Sequence, residues 1–147
     1  MAKLGVHDHV DVLGETVGNV LLQPTRIYVR AVRNVLSHYR VKNVVHGIAH
    51  ITGGGLHENI ERVLPDDACV VIQPRSWPVS EMFSWIQNLG NVDDDEMYRV
   101  FNMGIGLVLV VSAYYANHVQ QMIESSGFSC WKIGHVESGQ RGVRWSS

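Results

Sequence analysis

Three consecutive glycines, Gly53, Gly54 and Gly55, constrain this chain more than any other feature. The apolar, strand-like stretch Gly47-Ile48-Ala49-His50-Ile51 leads into them, and Leu56-His57-Glu58-Asn59-Ile60 leaves as a helix-compatible segment bounded by Pro65. Contiguous glycines cost backbone entropy in any regular element. They suit a place where the backbone takes a positive φ or approaches something closely. A strand, a glycine loop and a helix start together present free N–H groups and a positive dipole end, which favour an anion and above all a phosphate. The run equally suits a tight strand-to-helix turn. It is not a P-loop, because no Gly-Lys-Ser/Thr follows, and the spacing of a dinucleotide fingerprint is absent. His50, just before the loop, and Thr52, at its mouth, are in reach of any ligand there, although a strand histidine also serves simply as a core residue.

The 147 residues suffice for one domain with a core. Hydrophobic residues make up 46% and charged residues 18%, an ordinary globular balance. The net charge is −2 and the basic residues are scattered, so no nucleic-acid footprint is expected. Cys69 and Cys130 lie far apart in apolar stretches and read as reduced thiols of a cytoplasmic protein. The start of the chain is polar (His7, Asp8, His9, Asp11), unlike a signal peptide, and the longest apolar stretch, residues 105–111, is too short to span a membrane.

Residues 1–19, punctuated by Gly5, Gly14 and Gly18, read as a lead-in segment or linker, and residues 20–147 as the folded domain. Pro24 and Thr25 open a helix whose apolar positions are Tyr28, Val32, Val35, Leu36 and Tyr39. Residues 44–51 and 68–72 read as strands around a short helix over 56–64. A helix follows Trp77-Pro78 and ends at Gly90. The acidic run Asp93-Asp94-Asp95-Glu96 reads most simply as the first turn of another helix, with a carboxylate metal site as the sharper and rarer alternative. Residues 105–111 form a buried strand, 114–126 a helix, and 128–136 a strand. Residues 142–145 make a short edge strand paired with that last one. The alternation implies an α/β fold of the α-β plait kind (α+β plait), a mixed sheet of about four strands covered by helices.

No metal site is expected. His46 and His50 are four apart on a strand, roughly 13 Å, too far to share an ion, and no Cys-x-x-Cys is present. Without a Gly-x-Ser-x-Gly elbow, covalent hydrolase chemistry is disfavoured. The four tryptophans read as packing anchors. In Phe101-Asn102-Met103-Gly104-Ile105-Gly106, Asn102 either belongs to a helix cap and strand start or offers its amide to a ligand.

The segments Pro24-Thr25-Arg26-Ile27-Tyr28-Val29, Ile48-Ala49-His50-Ile51-Thr52-Gly53-Gly54-Gly55-Leu56, Glu58-Asn59-Ile60, Arg62-Val63-Leu64-Pro65, Ser76-Trp77, Gly90-Asn91, Glu96-Met97-Tyr98-Arg99, Phe101-Asn102-Met103-Gly104 and Trp131-Lys132-Ile133-Gly134 occur in this order. The series resembles the C-terminal half of the phosphoribosylformylglycinamidine cyclo-ligase (AIR synthetase) family, from about Leu13 onward. The resemblance implies the substrate-side part of an enzyme that uses ATP and Mg²⁺, and commonly K⁺, to close formylglycinamidine ribonucleotide to aminoimidazole ribonucleotide in purine biosynthesis. It implies a homodimer formed by an N-terminal, ATP-holding domain that this chain lacks, and hence inactivity of the chain alone. It further implies His50 as the candidate catalytic residue. Thr52, Gly53, Gly54, Gly55, Asn59, Thr25, Arg26 and Asn102 are then candidates for binding substrate and its phosphate. Glu61 stands where the family usually has proline, a change that costs little in an early helical turn. The same superfamily also contains synthetases, kinases and maturation proteins, so a non-catalytic module binding a phosphorylated ligand or a partner is the alternative.

Overall fold

A computed structural model describes residues 4–146. A small hairpin, β1 (His9–Val10) and β2 (Glu15–Thr16), leads into α1 (Val17–Leu21). There follow α2 (Val29–His38), β3 (Val45–His50), α3 (Gly55–Glu61) and β4 (Ala68–Ile72). Next come α4 (Glu81–Gly90), α5 (Asp94–Val100) and β5 (Leu107–Val111). The chain ends with α6 (Ala116–Ser125), β6 (Gly134–Ser138) and β7 (Gly142–Trp145).

The mixed α/β class is as expected, but the strands share out into separate ladders. β3 pairs antiparallel with β5, and β4 sits between antiparallel β6 and parallel β7. Pairing of 142–145 with the preceding strand is therefore corrected: β7 lies beside β4. The cause is the connection. Gly139 N–H donates to Asp67 O (3.0 Å) and Arg141 N–H to Asp66 O (3.0 Å), which draws the chain across the start of β4. Both edges of β4 are then taken, and β3 and β5 pair with each other in a ladder of their own.

The β3–β5 ribbon separates two apolar clusters. Ala49 and Ile51 face the larger one with Leu56, Ile60, Ile72, Trp77, Met97 and Val143, and Val108 packs against it. On its other side, Leu109 and Val111 pack against the cluster of Ala31, Val35, Val44, Val119 and Ile123 beneath α2 and α6. The Tyr39 hydroxyl, 2.5 Å from His118 Nδ1, links the exposed ends of those two helices.

Two boundaries shift for identifiable reasons. The helix expected from Pro24 starts only at Val29. Tyr28 caps that start with helical dihedrals (φ −83°, ψ −12°), its ring packs on Phe128 at 5.5 Å and its hydroxyl lies where a side chain at Gly106 would stand, which anchors the helix start at this point. The strand expected over 128–136 is regular only from Gly134. Upstream, Phe128 and Cys130 turn toward the smaller cluster while Ile133 packs on the larger. Of the tryptophans, Trp77 is a buried anchor donating to Met103 O at 2.9 Å, whereas Trp131 is exposed. Among the described residues no helix is long and apolar enough to cross a membrane.

Candidate functional site

Strand alternation decides which side chains around the glycine loop face out. Ala49 and Ile51 are buried, so Ile48, His50 and Thr52 point to the opposite, open side. The loop then turns sharply. Gly54 has φ +90° and Gly55 φ +57°, both in the left-handed region that glycine enters at no steric cost. Gly55 N–H closes the turn on Thr52 O at 3.1 Å. The N–H groups of Gly53 and Gly54 have no acceptor among the described residues.

The three glycines do different jobs. A side chain at Gly55 would run into the backbone of α5, with Tyr98 O and Arg99 O as nearest atoms. Gly55 thus lets α3 and α5 meet. At Gly54 a side chain would meet the Glu58 carboxylate, which lies over the loop and stands 3.5 Å from Arg62 Nη2. Gly53 faces open space, with no atom within 4 Å and no positive φ.

Asn59 is the polar side chain buried beneath the loop, 6% exposed. Its Nδ2 is shared among Gly55 O (2.8 Å), Gly53 O (3.2 Å) and Thr52 O (3.3 Å). Its Oδ1 accepts from the Thr52 hydroxyl and the Arg62 guanidinium, both at 3.4 Å. Every polar atom of Asn59 is therefore engaged in holding the loop, and the residue sits behind it rather than at its surface.

Five of the nine sequence-derived candidates (Thr52, Gly53, Asn102, Arg26 and His50) line two open grooves. The first, of about 320 Å³, is lined by Thr52, Gly53, Met82, Phe83, Val100, Phe101 and Asn102. Asn102 Oδ1 accepts from Gly104 N–H at 2.9 Å in an Asx-type turn, which leaves its Nδ2 for the groove. That turn is held by positive φ at Met103 (+48°) and Gly104 (+93°) and by the Trp77 bond to Met103 O. The second groove, of about 410 Å³, contains Arg26, Arg33 and His50 among apolar walls from Ile27, Tyr28, Val29, Val32, Ile48 and Leu107. The His50 ring meets Tyr28 edge-on at 6.2 Å. Thr25 is exposed and lines neither groove.

Sequence reasoning missed Arg33, Tyr28 and Glu58. Arg33, on the first turns of α2, lines the same groove as Arg26 and His50. Glu58 gave a visible signal, since an acidic first-turn residue three to four positions after the loop can reach back over it. Among the described residues no group of three His, Cys, Asp or Glu is placed to hold a metal ion. Asp94, in the acidic run, instead accepts from Gln87 Nε2 at 2.5 Å.

The model of the family described as AIR synthase related protein, C-terminal domain, matches residues 1–146. The chain is 46% identical over 147 residues to phosphoribosylformylglycinamidine cyclo-ligase of Brevibacillus brevis, covering 97% of this chain and 41% of that protein. It is 43% identical over 136 residues to the protein of the same name from Syntrophus aciditrophicus, with 92% and 38% covered. For the one from Clostridium novyi the identity is 47% over 133 residues, with 90% and 39% covered. The chain thus spans about two fifths of the length of the curated relatives it matches.

Proposed function

The chain belongs to the family of AIR synthase related proteins, C-terminal domain, and from that premise we propose that it is the substrate-side part of an ATP-dependent cyclo-ligase that makes aminoimidazole ribonucleotide from formylglycinamidine ribonucleotide. The observation that carries this reading is the first groove. Thr52, Gly53 and Asn102 come from two distant glycine motifs and meet there, with the Gly53 and Gly54 N–H groups and the Asn102 amide unspent. Convergent donors of this kind suit the substrate's phosphate. The Arg26, Arg33 and His50 groove supplies positive charge beside them, and His50 is the candidate for proton transfer.

ATP, with Mg²⁺ and commonly K⁺, supplies the phosphoryl group that activates the formyl oxygen. On the family resemblance, nucleotide and ions belong mainly to the N-terminal domain, in the same polypeptide or a separate chain. This chain's own part is to bind and orient. Asn59 holds the loop open from behind.

The test is reconstitution. The chain alone should give no ATP-dependent aminoimidazole ribonucleotide, and adding a separately produced N-terminal domain should restore it. Arg26→Ala and His50→Ala should each lower the restored kcat/KM at least tenfold, about 1.4 kcal/mol of transition-state stabilisation. Turnover by the chain alone, or full activity in both variants, would overturn the proposal.

A further inference from the structure

The outer edge of β6 is open, and its hydrogen-bonding parity can be worked out. Gln73 N–H donates to Ile133 O at 2.7 Å and Gly139 N–H to Asp67 O at 3.0 Å, which extends the β4–β6 ladder at both ends. In an antiparallel ladder, hydrogen-bonded pairs recur every second residue. The pairs Val71/His135 and Cys69/Glu137 therefore exchange the bonds between β4 and β6. Ser146 N–H donating to Ile72 O fits the same parity, since Ile72 then turns its carbonyl toward β7. It follows that Gly134, Val136 and Ser138 direct both N–H and C=O away from β4, to an edge that no other described strand pairs.

This edge is only partly protected, by the Glu137 charge. Edge strands are commonly blunted by lysine, proline or a covering element. β6 carries neither residue, four of its five positions are exposed, and Val136 is 44% exposed. Its sequence is also self-complementary about Val136. His135 and Glu137 flank it symmetrically on the sheet face opposite the larger cluster, where Arg144 Nη2 already meets Glu137 Oε1 at 2.7 Å.

We propose that β6 pairs antiparallel with β6 of a second copy of this chain, about a twofold axis through Val136. In that register Val136 stands opposite its counterpart and Gly134 opposite Ser138 as hydrogen-bonded pairs, about six bonds in all. His135 of one copy falls in a non-hydrogen-bonded pair with Glu137 of the other, where side chains approach most closely. Each Glu137 is then flanked by Arg144 of its own chain and His135 of the other. Like charges never face each other, which is why a second copy is favoured over an unrelated strand. The two three-stranded sheets become one continuous sheet. The contact is distinct from the N-terminal dimer that the family resemblance implies. With only five residues a side it makes a weak, reversible association, in the range of about 10–100 μM, at the small end of specific interfaces.

Analytical ultracentrifugation of this chain from about 10 μM to about 1 mM should show a monomer–dimer equilibrium in that range. Val136→Pro removes an N–H that β4 does not use, a position where an edge strand tolerates proline, and should leave a folded monomer throughout. Val136→Cys tests the register without relying on that variant's folding. Facing residues of such a pair lie about 5.5 Å apart between Cα atoms, within disulfide reach. Mild oxidation should link Val136→Cys to itself at least tenfold faster than Ser138→Cys, whose counterpart lies off the axis. A monomer at every concentration, or equal cross-linking of the two cysteine variants, would overturn the proposal.

Discussion

Alanine placed in turn at Gly53, Gly54 and Gly55 separates what the loop does for folding from what it does for a ligand. At Gly55 two costs combine. A non-glycine residue at φ +57° costs about 1–2 kcal/mol, and the new Cβ would sit 2.8 Å from Arg99 O, closer still to Tyr98 O. Both neighbours are backbone of α5 and cannot rotate away, so overpacking adds about 1–3 kcal/mol. The expected total, about 2–5 kcal/mol, is a large share of a typical domain stability of about 5–15 kcal/mol. It should lower Tm by roughly 5–20 °C in a chain of this size. Gly54, at φ +90°, carries the conformational cost, but its nearest neighbour is the end of a flexible glutamate. Its loss should be about 1–2 kcal/mol. Gly53 has free space around it and no positive φ. Gly53→Ala should therefore change stability by no more than about 0.5 kcal/mol in either direction.

Ligand binding should follow a different order. Gly53 lines the groove and has an unspent N–H, so a methyl there intrudes where the phosphate would approach. In the reconstituted enzyme we expect the substrate KM of Gly53→Ala to rise at least tenfold, about 1.4 kcal/mol, with an unchanged melting curve. Thermal unfolding by circular dichroism beside steady-state kinetics reads both quantities on the same preparations. An unchanged KM in Gly53→Ala, with the Gly55→Ala loss of stability as expected, would show that the glycines serve the turn and α5 packing alone.

Asn59→Ala should remove the clamp beneath the loop and take one donor from the Thr52, Gly53 and Gly55 carbonyls, costing about 1–3 kcal/mol by chemical denaturation, whereas Asn59→Asp should cost nearly as much because a carboxylate cannot donate to those carbonyls. Glu58→Gln should raise affinity for inorganic phosphate two- to fivefold by calorimetry, since about 0.4–1 kcal/mol of repulsion is relieved at a partly exposed site. Burial, followed by the Glu124 carboxylate, pushes the Cys130 thiol pKa up. Its folded form therefore holds the proton more tightly than the unfolded chain, and its contribution to stability should fall as pH rises above about 8.5; Cys130→Ser should flatten that part of the profile.

The class of fold was legible because periodicity reports which face of an element is buried, a local property. Ile48, His50 and Thr52 alternate with Ala49 and Ile51, and the structure keeps that alternation. Strand partners were less legible. Nothing within Gly142–Trp145 says that it joins β4 instead of β6; the decision comes from Asp66 and Asp67, more than seventy residues upstream, accepting from the connection. The late start of α2 has a similar origin. Pro24 and Thr25 make a sound local helix opening, yet the Tyr28 hydroxyl needs Gly106, which lies on the far side of β3 in sequence.

The same distinction sorts the candidate site. Motif residues gather around a ligand for two physical reasons, and a sequence cannot separate them. Thr52, Gly53, Asn102, Arg26 and His50 present groups to open grooves. Asn59 and Gly55 instead turn all they have toward the protein, one as a hydrogen-bonding hub and one as a missing side chain that admits α5. The second kind is what makes the first kind effective. Asn59 donates to the carbonyls of Thr52, Gly53 and Gly55 and so fixes the backbone whose Gly53 and Gly54 N–H groups have no acceptor among the described residues. A loop built from glycine alone would lose those donors to its own flexibility. Buttressed from behind by one buried amide, it can hold them toward the groove, and an ordered donor array binds an anion without first being organised by it.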